Sequence, residues 1–238
     1  MSPGPRPSRG IHDHPETRSA PSCRLQGVAG FRDLGGFPTR DGRTTRHGVL
    51  FRSPCPSELT PADGALLAEL GMALRVDLRA SFELADAPPV PLRDLPSAHV
   101  PILDAADAGQ YVRRLRDALD DRRDPAAVLG AFLREDGAGF ARVFGLLAER
   151  TPALVHCTTG RDRTGVVTAL ALRLAGVDDA LIALDYSESR AAGFAADAEP
   201  ILELLDQLDQ DWGGAASYLA GHGCPEGALD RFRDAFVA

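Results

Sequence analysis

The densest chemistry in the chain is Leu154-Val155-His156-Cys157-Thr158-Thr159-Gly160-Arg161-Asp162-Arg163-Thr164-Gly165. An apolar strand runs into a cysteine, five residues make a loop, and an arginine opens an apolar helix. The unpaired amides of a helix N-terminus and a tight loop form an anion site. The same partial positive charge, with Arg161 and Arg163, favours a thiolate over a thiol, and the thiolate is the nucleophilic form. Arg163 can grip two phosphate oxygens at once, which a lysine cannot. Taken alone, Cys157 reads as an inert buried thiol. The arginine six residues on, the glycine between them and the helix that follows point instead to a nucleophile facing a bound oxyanion. Thr158, Thr159, Gly160, Arg161, Asp162 and Arg163 are the candidate phosphate-binding residues. His156 reads as orienting the loop through hydrogen bonds, and Asp162 either neutralises its two arginine neighbours or supplies a proton.

The elements that must hold this loop follow from pattern. Ala153 to His156 is a short apolar strand, and Thr164 to Ala175 is a helix ended by Gly176 and apolar almost all round, hence central. Thr60-Pro61 caps a helix over 61–70 that Gly71 stops. Met72 to Leu78 reads as a strand and Gly139 to Glu149 as a helix. Further helices fit 112–120, 125–134, 178–190, 198–210 and 225–236. This alternation predicts one α/β domain, a short and mainly parallel sheet flanked by helices.

Composition sets the outer limits. The chain has 238 residues, 26 basic against 34 acidic, for a net charge of −8, which argues against a nucleic-acid partner. Every basic residue is arginine, so Schiff-base lysine chemistry and a Walker A loop are excluded. No apolar run is long enough to span a bilayer. Ten acidic side chains and one arginine fall between 178 and 211, a solvated helical face. The four cysteines, Cys23, Cys55, Cys157 and Cys224, are scattered with no Cys-x-x-Cys pair. With no apolar signal core at the N-terminus, a cytoplasmic location is expected. Residues 1–23 read as a flexible tail whose His12 and His14 have no further metal ligand nearby, so no metal and no cofactor is called for.

The loop resembles the signature of the cysteine-dependent tyrosine phosphatases. The wider chain resembles the bacterial tyrosine phosphatase family that includes secreted mycobacterial and Listeria phosphatases, whose loop has the form HCxxGKDRTG. Phe31-Arg32-Asp33-Leu34-Gly35-Gly36, Leu50-Phe51-Arg52-Ser53, Asp77-Leu78-Arg79, Asp185-Tyr186 and Tyr218-Leu219 with Gly223 carry the rest of the likeness. Gly30 replaces the family's usual asparagine, and Arg161 its loop lysine. The resemblance implies a tyrosine phosphatase-like catalytic domain over 24–238 that acts on phosphorylated protein. Because lipid phosphatases share such a basic loop residue, it also implies phosphoinositide as a substrate class. By the same resemblance Cys157 forms a phosphocysteine and Thr164 helps the thiolate leave. Arg32, Asp33, Arg52, Asp77 and Arg79 read equally as ion pairs around the loop and as substrate contacts.

Two aspartates compete for the role of general acid. Asp104, in Val100-Pro101-Ile102-Leu103-Asp104, follows an expected strand in a place suited to a mobile acid. Asp162 lies inside the loop and is favoured because the family keeps an aspartate there. Three other readings stay open: a phosphoprotein-binding module with weak catalysis, an arsenate reductase needing a resolving thiol, and a papain-like hydrolase needing a separate His-Asn pair.

Overall fold

The computed structural model describes residues 24–87, 95–119, 124–189 and 197–238. The expected tail, with its histidine pair and Cys23, lies outside them, as do the tips of the helices expected at 112–120 and 178–190. Five strands form one sheet: β1 (Arg32–Asp33), β2 (Leu50–Ser53), β3 (Leu74–Asp77), β4 (Ser97–His99) and β5 (Ala153–His156). Their order is β1-β2-β5-β3-β4. Only the β1–β2 pair is antiparallel, so the sheet is short and mainly parallel, as the alternation predicts. β5 lies at its centre, paired with β2 (Ser53 beside His156) and with β3 (Asp77 beside His156). Three chains therefore end together at the head of the phosphate loop, the usual place for a site in a parallel sheet.

Ten helices of the described residues surround the sheet: α1 (Pro61–Glu69), α2 (Ser81–Asp86), α3 (Ala108–Ala118), α4 (Pro125–Glu135), α5 (Gly137–Glu149), α6 (Asp162–Ala175), α7 (Asp179–Ser187), α8 (Glu199–Trp212), α9 (Ala215–Gly221) and α10 (Ala228–Phe236). α6 is the central one, buried from Arg163 through Leu172 against the face of the sheet that carries Leu50, Val76 and Val155. The opposite face buries Phe51 and Leu154 under α1 together with Leu25, Val28, Phe31 and Leu67. A reciprocal cap begins α1: the Asp63 amide donates to Thr60 Oγ1 at 3.2 Å, and the Thr60 amide to Asp63 Oδ2 at 2.9 Å.

Several boundaries differ from the sequence pattern for local reasons. α6 starts at Asp162 rather than Thr164, because the Gly165 amide donates to the Arg161 carbonyl at 2.8 Å and closes a turn inside the motif. α5 starts at Gly137, where Asp136 Oδ1 accepts from the Gly139 amide. The strand expected at Met72–Leu78 is trimmed to Leu74–Asp77. The helix expected at 225–236 starts at Ala228, after Gly227. The strand expected ahead of Asp104 is β4, at Ser97–His99, and β1, β2, α2 and α9 are additions to the pattern. Among the described residues no helix is long and apolar enough to cross a membrane.

Candidate active site

The phosphate loop leaves β5 at Cys157, which is 2% exposed, and joins α6 at Arg161, which gives that helix no side-chain cap among the described residues. The first amides of α6 are therefore left for an anion. Gly160 holds φ +66°, and a Cβ there would come within 2.5 Å of the Ser53 and Pro54 backbone, so the loop can take this path only with glycine. The Cys55 amide donates to the Thr158 carbonyl at 3.0 Å and ties the loop to the end of β2.

Arg163 lies at the mouth with 7% of its surface exposed. Its Nη1 donates to Glu83 Oε2 at 2.5 Å and its Nη2 to Glu83 Oε1 at 2.9 Å, an end-on fork. The Thr158 hydroxyl donates to the same Glu83 Oε1, and the Ala80 amide to Oε2 at 2.8 Å. Arg163 Nη2 also lies 3.4 Å from Thr158 Oγ1, and among the described residues Nε makes no hydrogen bond. Burial pushes the Glu83 carboxyl up, but the Arg163 hydrogen bonds and charge outweigh it and hold the group ionised. Glu83 thus fixes the guanidinium plane, and sequence reading missed it. Its one local signal is its place three residues after Ala80, where its side chain returns to the cap amide of a six-residue helix.

The two acid candidates occupy different settings. Asp162 accepts from Arg161 Nε at 2.8 Å and Nη2 at 3.0 Å, and from the Tyr186 hydroxyl at 3.4 Å. Asp104 accepts from the Ser81 amide at 2.7 Å, the Ser81 hydroxyl at 3.0 Å and the Ala105 amide at 2.9 Å. Burial raises the Asp104 carboxyl, yet the Ser81 bonds win and lower it. The residue before it, Leu103, is fully buried in the left-handed region at φ +57°, its amide held by Asp136 Oδ2 at 2.8 Å. Asp104 therefore sits at a locked corner where it anchors the start of α2, two residues before Glu83, and not on a free loop.

Beneath and behind the loop, polar groups are sealed from water. His156 is fully buried and burial lowers its pKa to about 4, so it is neutral at neutral pH; its Nδ1 lies 3.3 Å from the Cys157 carbonyl oxygen. Its Nε2 stands 3.7 Å from Asp77 Oδ2, and Asp77 in turn is forked by Arg79. The Thr164 hydroxyl is fully buried and without a hydrogen-bond partner among the described residues, an orphan donor in the first turn of α6. Arg32, Arg52 and Asp185 form one ion-pair group, while Asp33 accepts from the Gly35 and Gly48 amides. These residues are thus engaged in ion pairs and backbone caps around the loop. Gly30 has φ +87°, which explains the departure noted above, since asparagine and glycine are the residues that enter that region most readily. At the rim the Tyr111 ring stands 5.5 Å from Arg163 Cζ and 5.7 Å from the Phe82 ring.

A cysteine at the end of a central parallel strand, an uncapped helix behind it and a clamped arginine define a phosphate-handling hydrolase site. Residues 23–238 match the model of the tyrosine phosphatase family. The triple specificity protein phosphatase PtpB of Mycobacterium tuberculosis is 33% identical over 193 residues, covering 69% of this chain and 68% of that one. A tyrosine-protein phosphatase of Nostoc commune is 33% identical over 187 residues, covering 72% of this chain and 61% of that one. Among solved structures, P. aeruginosa TpbA in complex with pTyr aligns with 16% identity and a TM-score of 0.40, over 89% of this chain and 97% of that chain. The chain belongs to the tyrosine phosphatase family and is a phosphoric monoester hydrolase.

Proposed function

We propose that the protein hydrolyses phosphotyrosyl protein through a phosphocysteine. The Cys157 thiolate attacks phosphorus, the S–P bond forms, the P–O bond to the substrate breaks, and Asp162 gives its proton to the leaving oxygen. Water then attacks phosphorus as Asp162 takes the proton back, the P–S bond breaks, and inorganic phosphate leaves. The Thr164 hydroxyl donates to the departing sulfur. Arg163 and the loop amides bind the equatorial oxygens throughout and more tightly as charge spreads in the transition state.

The observation that carries this reading is Cys157 at the end of β5, just before an uncapped α6, with Arg163 clamped end-on by Glu83 and its Nε without a hydrogen bond among the described residues. For Asp162, the support is its place in the loop itself, one residue before Arg163. For an aromatic leaving group, the support is the Phe82–Tyr111 pair beside Arg163, two rings tilted at 56° to one another whose faces are of the kind that pack on a phenyl ring. Cys157→Ser tests the mechanism. Turnover should fall by about 10⁴-fold or more while inorganic phosphate still binds. A serine variant that keeps a tenth of the wild-type rate sinks the covalent route.

A further inference from the structure

We propose that Arg52 is a positioning residue for the phosphate loop, holding the Gly160 carbonyl beneath it so that the Arg161 amide faces the bound phosphate; this rests on the loop being the phosphate site. Arg52 sits on β2 opposite Val155 of β5, and its side chain passes under the loop on the α6 side of the sheet. It is fully buried, an unusual place for an arginine. Its Nη2 donates to the Gly160 carbonyl at 2.6 Å. Its Nη1 donates to Asp185 Oδ2 at 2.5 Å and to Thr168 Oγ1 at 2.9 Å. Asp185 is itself fixed by Arg32, which donates from Nε to Oδ1 at 2.9 Å and from Nη2 to the Asp185 carbonyl at 2.7 Å. A chain of contacts thus runs from β1 through α7 to the floor of the loop.

Stability alone is a poor reason for this arrangement. Removing two charges from water is seldom repaid by their attraction, and an apolar side chain of similar volume commonly serves as well. Here the arginine also faces a second cation, Arg32, across Asp185, and its own Nε finds no hydrogen-bond partner among the described residues. An apolar residue could fill the volume, but it could not hold a carbonyl.

Holding that carbonyl matters because of peptide geometry. In a trans peptide the C=O of one residue and the N–H of the next point in opposite directions. With the Gly160 carbonyl drawn down to Arg52, the Arg161 N–H points up, toward the side where the anion binds. Glycine is the residue least able to resist rotation of this peptide unaided. A turn of the 160–161 peptide would present a carbonyl oxygen to the phosphate in place of a donor, exchanging attraction for repulsion at the moment negative charge spreads.

The test compares Arg52→Lys with Arg173→Met, which breaks the ion pairs of Arg173, in the last turn of α6 away from the loop, to Asp179 of α7 and Asp209 of α8. Inorganic phosphate is the probe, measured as a competitive inhibitor, with kcat/KM and the melting temperature alongside. A single ammonium cannot serve Asp185, Thr168 and Gly160 from one planar fork. Arg52→Lys should therefore weaken phosphate inhibition at least tenfold and lower kcat/KM by about 10–150-fold, the range for losing one hydrogen bond to a charged group. Arg173→Met should lose melting temperature and keep the wild-type phosphate inhibition. If both variants melt lower and both keep that inhibition, Arg52 is only a structural ion and the proposal is overturned. Should Arg52→Lys fail to fold, Asp185→Asn keeps the shape and loosens the brace. It should weaken phosphate inhibition about threefold or more, and wild-type inhibition there overturns the proposal. Failure of the phosphate-site reading looks different, because phosphate then does not inhibit the wild type at all.

Discussion

Beneath the phosphate loop, Arg52, His156, Thr168 and Asp185 are sealed from solvent, whereas at its rim Phe82, Glu83, Asp104 and Tyr111 are half-exposed. The floor is built from β2, β5, α6 and α7, whose register is fixed by the sheet and the core. The rim is built from α2, six residues long, and α3, which buries none of its residues. A floor so constrained can hold amides and a thiolate to the tolerance that chemistry needs. A rim of short, lightly packed elements can be changed without disturbing that geometry, and such elements are the kind that commonly tell substrates apart. Floor variants should then damage every substrate alike, and variants of the rim's aromatic residues should alter the ranking of substrates.

The largest effect separating the two regions concerns the proton. With Asp162 as the acid, Asp162→Asn should lower the rate on an alkyl phosphate by ~10²–10⁴-fold and on a nitrophenyl phosphate far less, since nitrophenolate leaves without a proton. Asp104→Asn should show no such leaving-group dependence, because the Asp104 carboxylate is occupied at the start of α2. The reverse pattern would move the acid from the loop to the rim and undo the comparison at its strongest point.

Next in size is the contact that joins rim to loop. Glu83→Gln keeps the shape but removes the charge that forks Arg163, a loss of about 1.5–3 kcal/mol for a charge-assisted bond. That corresponds to ~10–150-fold in kcat/KM, shared by aryl and alkyl phosphates alike. Inorganic phosphate should inhibit the variant more weakly. Tighter inhibition would show that the carboxylate competes with phosphate for the guanidinium and does not orient it.

The floor was more legible in the sequence than the rim, for physical reasons. β5, the loop and α6 announce themselves through an apolar strand, a glycine and an apolar helix, and the mainly parallel sheet follows from their alternation. β2 escaped because Arg52 interrupts Leu50-Phe51-Arg52-Ser53, and a buried arginine reads as a surface residue until its partners are known. β1 has two residues, too few to show a period. α2 was missed for its length, and with it Glu83, whose partner Arg163 is 80 residues away. α9 follows two glycines at positive φ, Gly213 and Gly214, which read as the end of one helix and gave no sign of another. Asp104 reads as a candidate acid from its place after a strand, and sequence does not show the Ser81 amide that its carboxylate accepts from.

The smallest expected effect is also the most selective. Tyr111 has its ring against Phe82 and over the Arg163 guanidinium, and burial pushes its hydroxyl up to about 12, so it meets the substrate as a neutral phenol. Tyr111→Ala removes one aromatic wall and with it ~0.5–1.5 kcal/mol of ring contact, about 2–12-fold. If the wall reads the substrate ring, that loss falls in KM for a phosphotyrosyl peptide and leaves KM for a matched phosphoseryl peptide in place. Tyr111→Phe should keep the wild-type ratio, since the contact needs the ring face and not the hydroxyl. The other possibility is that the ring acts through Arg163, steadying the cation from outside. In that case kcat falls for both peptides by the same factor and their KM ratio does not move. The ratio of the two peptides' kcat/KM values, measured on all three proteins, decides between a wall that selects and a wall that only supports.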